Sequence, residues 1–202
     1  MTFTRAAVPL LLAAALAGCG GTAGGPSGGT APGGGQPTAI AVSTEQGGRF
    51  VGLTGPRVQH AEPFLGVSGT NFYTLRTWID RGSGETVHQL YVADSYAGTP
   101  RDWNAARDAQ ARPLRFIPIS KNEITCQPNC SYAEEFAAAI PEAELRNATS
   151  GLTVTFAARS GAQKTIAVPG ELVRAQVVGL DRARTGLATA AAAPPAAAPP
   201  RP

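Results

Sequence analysis

Cys126 and Cys130 stand in the stretch CQPNC, and Glu134 and Glu135 follow closely. Thiols and carboxylates are the groups of this chain best suited to chemistry, so their spacing decides what they could do. C-x-x-x-C is one residue longer than the C-x-x-C of thiol oxidoreductases. In an exported chain the spacing reads instead as a Cys126–Cys130 disulfide closing a turn around Pro128-Asn129, with a redox pair as the alternative. A zinc site would have to recruit His60 and His88, whose positions lack ligand spacing. Neither a metal nor a cofactor is expected. If the segment is a strand, one of Glu134 and Glu135 points inward, and a buried carboxylate needs a partner; Arg115 is a candidate. Such a pair is more often a structural ion pair than a catalytic acid. No Ser-His-Asp set or phosphate-cradling glycine loop can be assembled, so no catalytic residue is assigned.

A second kind of chemistry is recognition. The segment YVADSYAGTPRDWNAARDAQARPLRF places Tyr96, Arg101, Trp103 and Arg107 near one another in sequence. Exposed aromatics beside arginines are the composition of binding hot spots, which makes these four the candidate binding surface. The competing reading has Trp103 plugging a sheet edge. The run Trp103–Asp108 reads as a short helix or an irregular loop.

The elements that must position these groups are mostly strands. NFYTLRTWIDRGSGETVHQLYVA reads as a hairpin turning at Arg81–Gly84. Its register sets Tyr73 against Val92, Leu75 against Leu90, His88 against Thr77 and Ile79 against Thr86. Both faces carry apolar groups, as expected inside a packed sheet. GLTVTFAARSGAQKTIAVPG alternates with period two. A turn at Ser160-Gly161-Ala162 sets Phe156 against Ile166 and Val154 against Val168. AIAVS, RFVGLTG, LRFIPIS and NEITC add four short strands. Both helical and alternating spacings are present in SYAEEFAAAIPEAELRNATSG; the reading adopted is a strand from Ser131 to Ala139, then a short helix started by Pro141 and ended near Asn147. GELVRAQVVGLD forms a short helix packing Leu172 and Val178 on the sheet. The fold class expected is mainly β: one antiparallel, β-sandwich-like domain over residues 40–181, with one or two short helices.

The third cysteine lies outside that domain. A short n-region with Arg5 precedes an apolar run, Ala6 to Ala15, too short to span a bilayer as a helix. The run ends in Leu16-Ala17-Gly18-Cys19, which resembles the lipobox of bacterial lipoproteins. The resemblance covers about nineteen residues. It implies cleavage before Cys19, a diacylglycerol on its sulfur and an acyl group on the new amino terminus. Gly20, rather than aspartate, then points to the outer membrane of a double-membraned bacterium, with the domain facing the periplasm. On this reading residues 1–18 are the signal peptide and 19–39 a lipidated, Gly-rich flexible tether. Residues 182–202, rich in Ala and Pro, are a disordered tail.

Charge narrows the partners. The chain carries 17 Lys plus Arg against 14 Asp plus Glu, an excess too small and too scattered for a nucleic-acid binder. The partners expected are the membrane, through the lipid, and an envelope protein or cell-wall component. The function expected is a lipid-anchored envelope module for binding or structure. The alternative is a thiol-redox or other envelope enzyme using Cys126/Cys130 or Glu134/Glu135 with His88.

Overall fold

A computed structural model describes residues 39–127 and 129–192. The signal peptide, Cys19 and the tether up to residue 38 lie outside the described residues, as do Pro128 and residues 193–202. The fold is mainly β, with two antiparallel sheets and two α-helices among the described residues. The larger sheet runs β1 (Ala41–Glu45), β2 (Phe50–Thr54), β4 (Phe72–Asp80), β5 (Thr86–Ala97), β9 (Ser131–Ala139) and β8 (Phe116–Thr125), with β3 (Val58–Gln59) also on β4. The smaller sheet runs β11 (Gln163–Pro169), β10 (Gly151–Ala158), β6 (Trp103–Asp108) and β7 (Pro113–Leu114). Between β9 and β10 lies α1 (Glu142–Asn147), and α2 (Gly170–Ala192) follows β11.

The β4–β5 hairpin has the register its alternation predicts, with Tyr73 opposite Val92 and Leu75 opposite Leu90. Its inward residues meet the smaller sheet and α2. Phe136 from β9 lies 5.2 Å from the Trp103 ring and 4.9 Å from Phe156, centroid to centroid, so three aromatics join the sheets. Leu152, Val154, Ile166, Leu172 and Val173 complete this core. A second cluster, Val51, Leu53, Ile79 and Leu180, sits under the later part of α2. The strand at Ser131–Ala139 and the short helix after Pro141 are both where the sequence puts them.

Several expectations are corrected. In the β10–β11 hairpin Val154 faces Ile166 and Phe156 faces Lys164, a slip of two residues. The Arg159 and Ser160 amides turn away to donate to the Asp102 and Arg101 carbonyls, so the ladder ends at Ala158 and Gly161 takes φ +87° in the loop. A slip of two keeps every side chain on its face, and the core is unaffected. Trp103–Asp108 is a strand, neither helix nor loop, because β10 pairs with its backbone. LRFIPIS and NEITC form one strand, β8, whose register shifts near Ile119 and Ile124. Pro118 is tolerated there because β8 is an edge.

The final helix differs most. It opens at Gly170, where a Cβ would stand 2.4 Å from the Thr149 carbonyl oxygen, a close approach open only to glycine. It buries Leu172, Val173, Gln176 and Leu180, while Val178, expected inside, is 47% exposed. It continues to Ala192, so the boundary at 181 is wrong: Ala183 and Leu187 pack on the second cluster. Among the described residues, no helix is long and apolar enough to cross a membrane.

Candidate functional site

Strand pairing across three strands builds one polar row. Asp94 of β5 stands opposite Glu134 of β9, and Glu134 stands opposite Lys121 of β8. Asp94 shares its face with Val92 and Tyr96, two residues away on either side, and this face looks toward the smaller sheet. Asp94 is 2% exposed and Glu134 5%. Carboxylates so enclosed require several donors.

They have them. Asp94 Oδ2 accepts from Arg101 at 2.7 Å and from the Trp103 indole N–H at 3.0 Å. Its Oδ1 receives Lys164 Nζ at 3.0 Å. Glu134 Oε1 accepts from the Tyr96 hydroxyl and from the Asp102 amide, and Oε2 accepts from the Trp103 amide at 3.3 Å. Tyr96 in turn accepts the Arg101 amide at 2.8 Å, and the Arg101 guanidinium lies 3.9 Å from the centre of the Tyr96 ring. Burial first, and Glu134 second, push the Tyr96 phenol well above its ordinary value. Lys121 pairs with Asp102 at the solvent side. Lys164 also donates to His60 Nδ1 at 3.2 Å, while His60 Nε2 donates to the Ala93 carbonyl at 2.9 Å. That arrangement requires a neutral imidazole, and burial lowers its pKa. Chemically the row is a cross-brace between the two sheets.

A groove of about 580 Å³ opens beside it. Trp103, Phe116 and Phe136 form apolar lining, and Lys121, Arg159 and Asn104 bring polar groups.

A second constellation is centred on His88, opposite Thr77 as the alternation predicts. Gln176 Nε2 donates to Thr77 Oγ1 at 3.0 Å, and Thr77 Oγ1 lies 2.8 Å from His88 Nδ1. With the Thr77 hydroxyl donating, the imidazole proton sits on Nε2, 3.5 Å from Glu142 Oε2. This contact is too long to serve as a good hydrogen bond, and Nε2 is left without one. The order hydroxyl, imidazole, carboxylate resembles a nucleophile and its base, but Thr77 has no exposure and no reactant can reach it. Burial keeps His88 below its ordinary pKa, against the pull of Glu142. Arg184, Arg146 and Thr86 bond Glu142, and with Arg184 foremost they hold its carboxyl far below the usual range.

The other expectations divide. Trp103 and Tyr96 are buried at 6% and 5% exposure, so they do not form an exposed binding surface. Arg101 joins their network, whereas Arg107 points out of the smaller sheet between Thr155 and Pro113. The bulge of β6 between Trp103 and Ala105, where the register with β10 shifts, puts Arg107 on the opposite face from Trp103. Trp103 comes closer to the expected plug, lodged between sheets rather than on an edge. Glu134 is the inward glutamate, but its partners are Tyr96 and two amides, not Arg115, which is exposed. Glu135 lies on the opposite face near Tyr91, whose phenol is pushed up to about 12 by burial and by Glu135. Cys126 and Cys130 are bonded to each other. Among the described residues no group of three or more His, Cys, Asp or Glu is placed to hold a metal ion. Asp94 and Lys164 were missed by sequence reasoning. The alternation of Leu90, Val92 and Tyr96 already put Asp94 on the core face; nothing local marked Lys164 as its partner.

No protein-family model matches this chain, and no curated protein or solved structure matches it either.

Proposed function

We propose that this protein is a lipid-anchored component of the bacterial envelope whose β-rich domain serves as a binding or structural module. The anchor is Cys19, the location is the outer membrane, and the domain faces the periplasm. The observation that supports a module most is the use made of the polar groups: Asp94 and Glu134 each accept three internal donors. Groups held this way fix the relation of two sheets and leave recognition to the surface, where the groove beside Trp103, Phe116 and Lys121 is available to a partner.

The experiment is a crosslinking capture from intact envelopes with the full chain and its Cys19→Ala variant. The proposal expects acyl labelling of the parent chain only, and a crosslinked envelope partner that is reduced or absent for the variant. A parent chain that takes no acyl label and washes from membranes in high salt would overturn it, since salt weakens charge adhesion but leaves acyl insertion intact. Recovery of the unreduced protein with reactive thiols at Cys126 and Cys130 would favour the enzyme reading instead.

A further inference from the structure

The chain between β3 and β4 presents Leu65 and Val67 to solvent, at 79% and 56% exposure. Leu65 holds φ +52°, a left-handed conformation that a branched side chain adopts only when its surroundings impose it. They do so here. The Phe64 amide donates to Thr70 Oγ1 at 2.8 Å, and the Thr70 hydroxyl donates to the Val67 carbonyl at 2.7 Å. Asn71, buried at the base, donates to the Glu62 carbonyl at 2.8 Å and accepts the Ser95 amide at 2.7 Å. The apolar tip is therefore a built projection.

Its place in the fold matters as much. The chain arriving from Cys19 joins the sheet at Ala41, opposite Thr54 and so level with Arg76 midway along β4. The tip rises from the end of the sheet where β4 begins and Gln59 stands opposite Phe72. Ile124, 50% exposed, lies there too, since Thr125 pairs with Ser131 and Ser131 with Ala97 at the end of β5. Arg57, exposed and stacked 4.6 Å from the Phe72 ring centre, stands behind the tip. An apolar apex with a cation set back from it suits the boundary between acyl chains and anionic headgroups.

Resting on the reading of Cys19 as a lipid anchor, we propose that this end of the domain faces the bilayer and that the Leu65–Val67 tip inserts into the headgroup region of the membrane holding the lipid. Nineteen residues lie between Cys19 and Ala39, a span of at most about 70 Å in any conformation, so the bilayer stays within reach. The tip is then a second membrane contact that orients the domain.

The test uses the full chain with Leu65→Cys, and separately with Glu85→Cys in the exposed turn at the opposite end of the sheet. Each protein is purified from membranes, nitroxide-labelled and reconstituted in vesicles of phosphatidylethanolamine and phosphatidylglycerol. At position 65 relaxation by oxygen should exceed relaxation by a water-soluble nickel chelate several-fold, with the reverse at position 85. Equal nickel access at both positions would overturn the proposal while leaving the anchor intact. Shielding of position 65 from both reagents would overturn it in favour of a protein contact. Label found on Cys19 by peptide mass in the parent chain would show that the anchor reading itself fails, which separates the two failures.

Discussion

Asp94 and Glu134 stand directly opposite each other on neighbouring strands, and one residue of the other sheet, Trp103, donates to both, indole to Asp94 and amide to Glu134. Two carboxylates this close would repel if left bare. Here each has its own donors, and the donors come from segments that must be joined for the two sheets to pack.

Removing a carboxylate from that brace should therefore cost more than removing a surface ion pair. Asp94→Ala leaves Arg101 and the Trp103 indole without their acceptor and Lys164 with only His60, and a loss of about 3–5 kcal/mol is expected. Trp103→Phe removes the indole N–H donor and keeps one six-membered aromatic ring, for about 1–3 kcal/mol. Urea unfolding monitors both, with the midpoint falling and the slope unchanged. A neutral Asp94→Ala would mean the brace is not formed.

Acid should weaken the fold in two stages. Burial lowers the pKa values of His60 and His88, so as pH falls through about 6.5 the unfolded chain takes up protons before the folded one does. This contribution is complete above that pH and is lost as pH falls through the lowered values. His88→Gln should flatten the fall in stability between pH 7 and pH 5. Further down, Glu142 and Asp181 are held below the ordinary carboxylate range by Arg184 and Arg146 respectively, which adds a second loss below about pH 4.5. Stability that rose from pH 7 to pH 5 would contradict the assignment of neutral, buried imidazoles.

The later part of α2 should be structural. Ending the chain at Asp181 removes Ala183 and Leu187 from the second cluster and Arg184 from Glu142. A loss of about 2 kcal/mol, or roughly 4–8 °C in Tm, is expected for a domain of this size. An unchanged Tm would return that segment to the role of a tail.

Period-two alternation made the strands legible, because a sheet buried on both faces still needs its side chains in strict order. It located the β4–β5 register, the strand at Ser131–Ala139 and the need for one of Glu134 and Glu135 to point inward. It failed at Trp103–Asp108, where one strand-favouring residue, Trp103, is followed by Asn, two alanines, Arg and Asp, leaving pairing with β10 to decide the conformation. It failed again after Asp181, since an alanine-rich stretch before prolines reads as tail unless Leu187 is known to have a hydrophobic cluster beneath it. The brace was half visible: one of Glu134 and Glu135 was expected inward, but the donors to Glu134 come from Tyr96, Asp102 and Trp103, some thirty residues or more away, with no local periodicity to announce them.

The disulfide should act locally. Cys126 and Cys130 close a loop of only a few residues at the β8–β9 connection, so replacing both with Ser should cost about 1–3 kcal/mol and leave the fold intact, with unchanged near-ultraviolet circular dichroism from the Trp103, Phe136 and Phe156 cluster. Loss of that signal would mean the bridge holds more of the structure than its position implies.

The claim on which the functional account turns is the tether at Cys19, and the mass of the amino-terminal peptide from membrane-extracted protein tests it most directly. The account predicts a chain beginning at Cys19 that carries a thioether-linked diacylglycerol and an amide-linked acyl group. A chain that begins elsewhere, or at an unmodified Cys19, would contradict it.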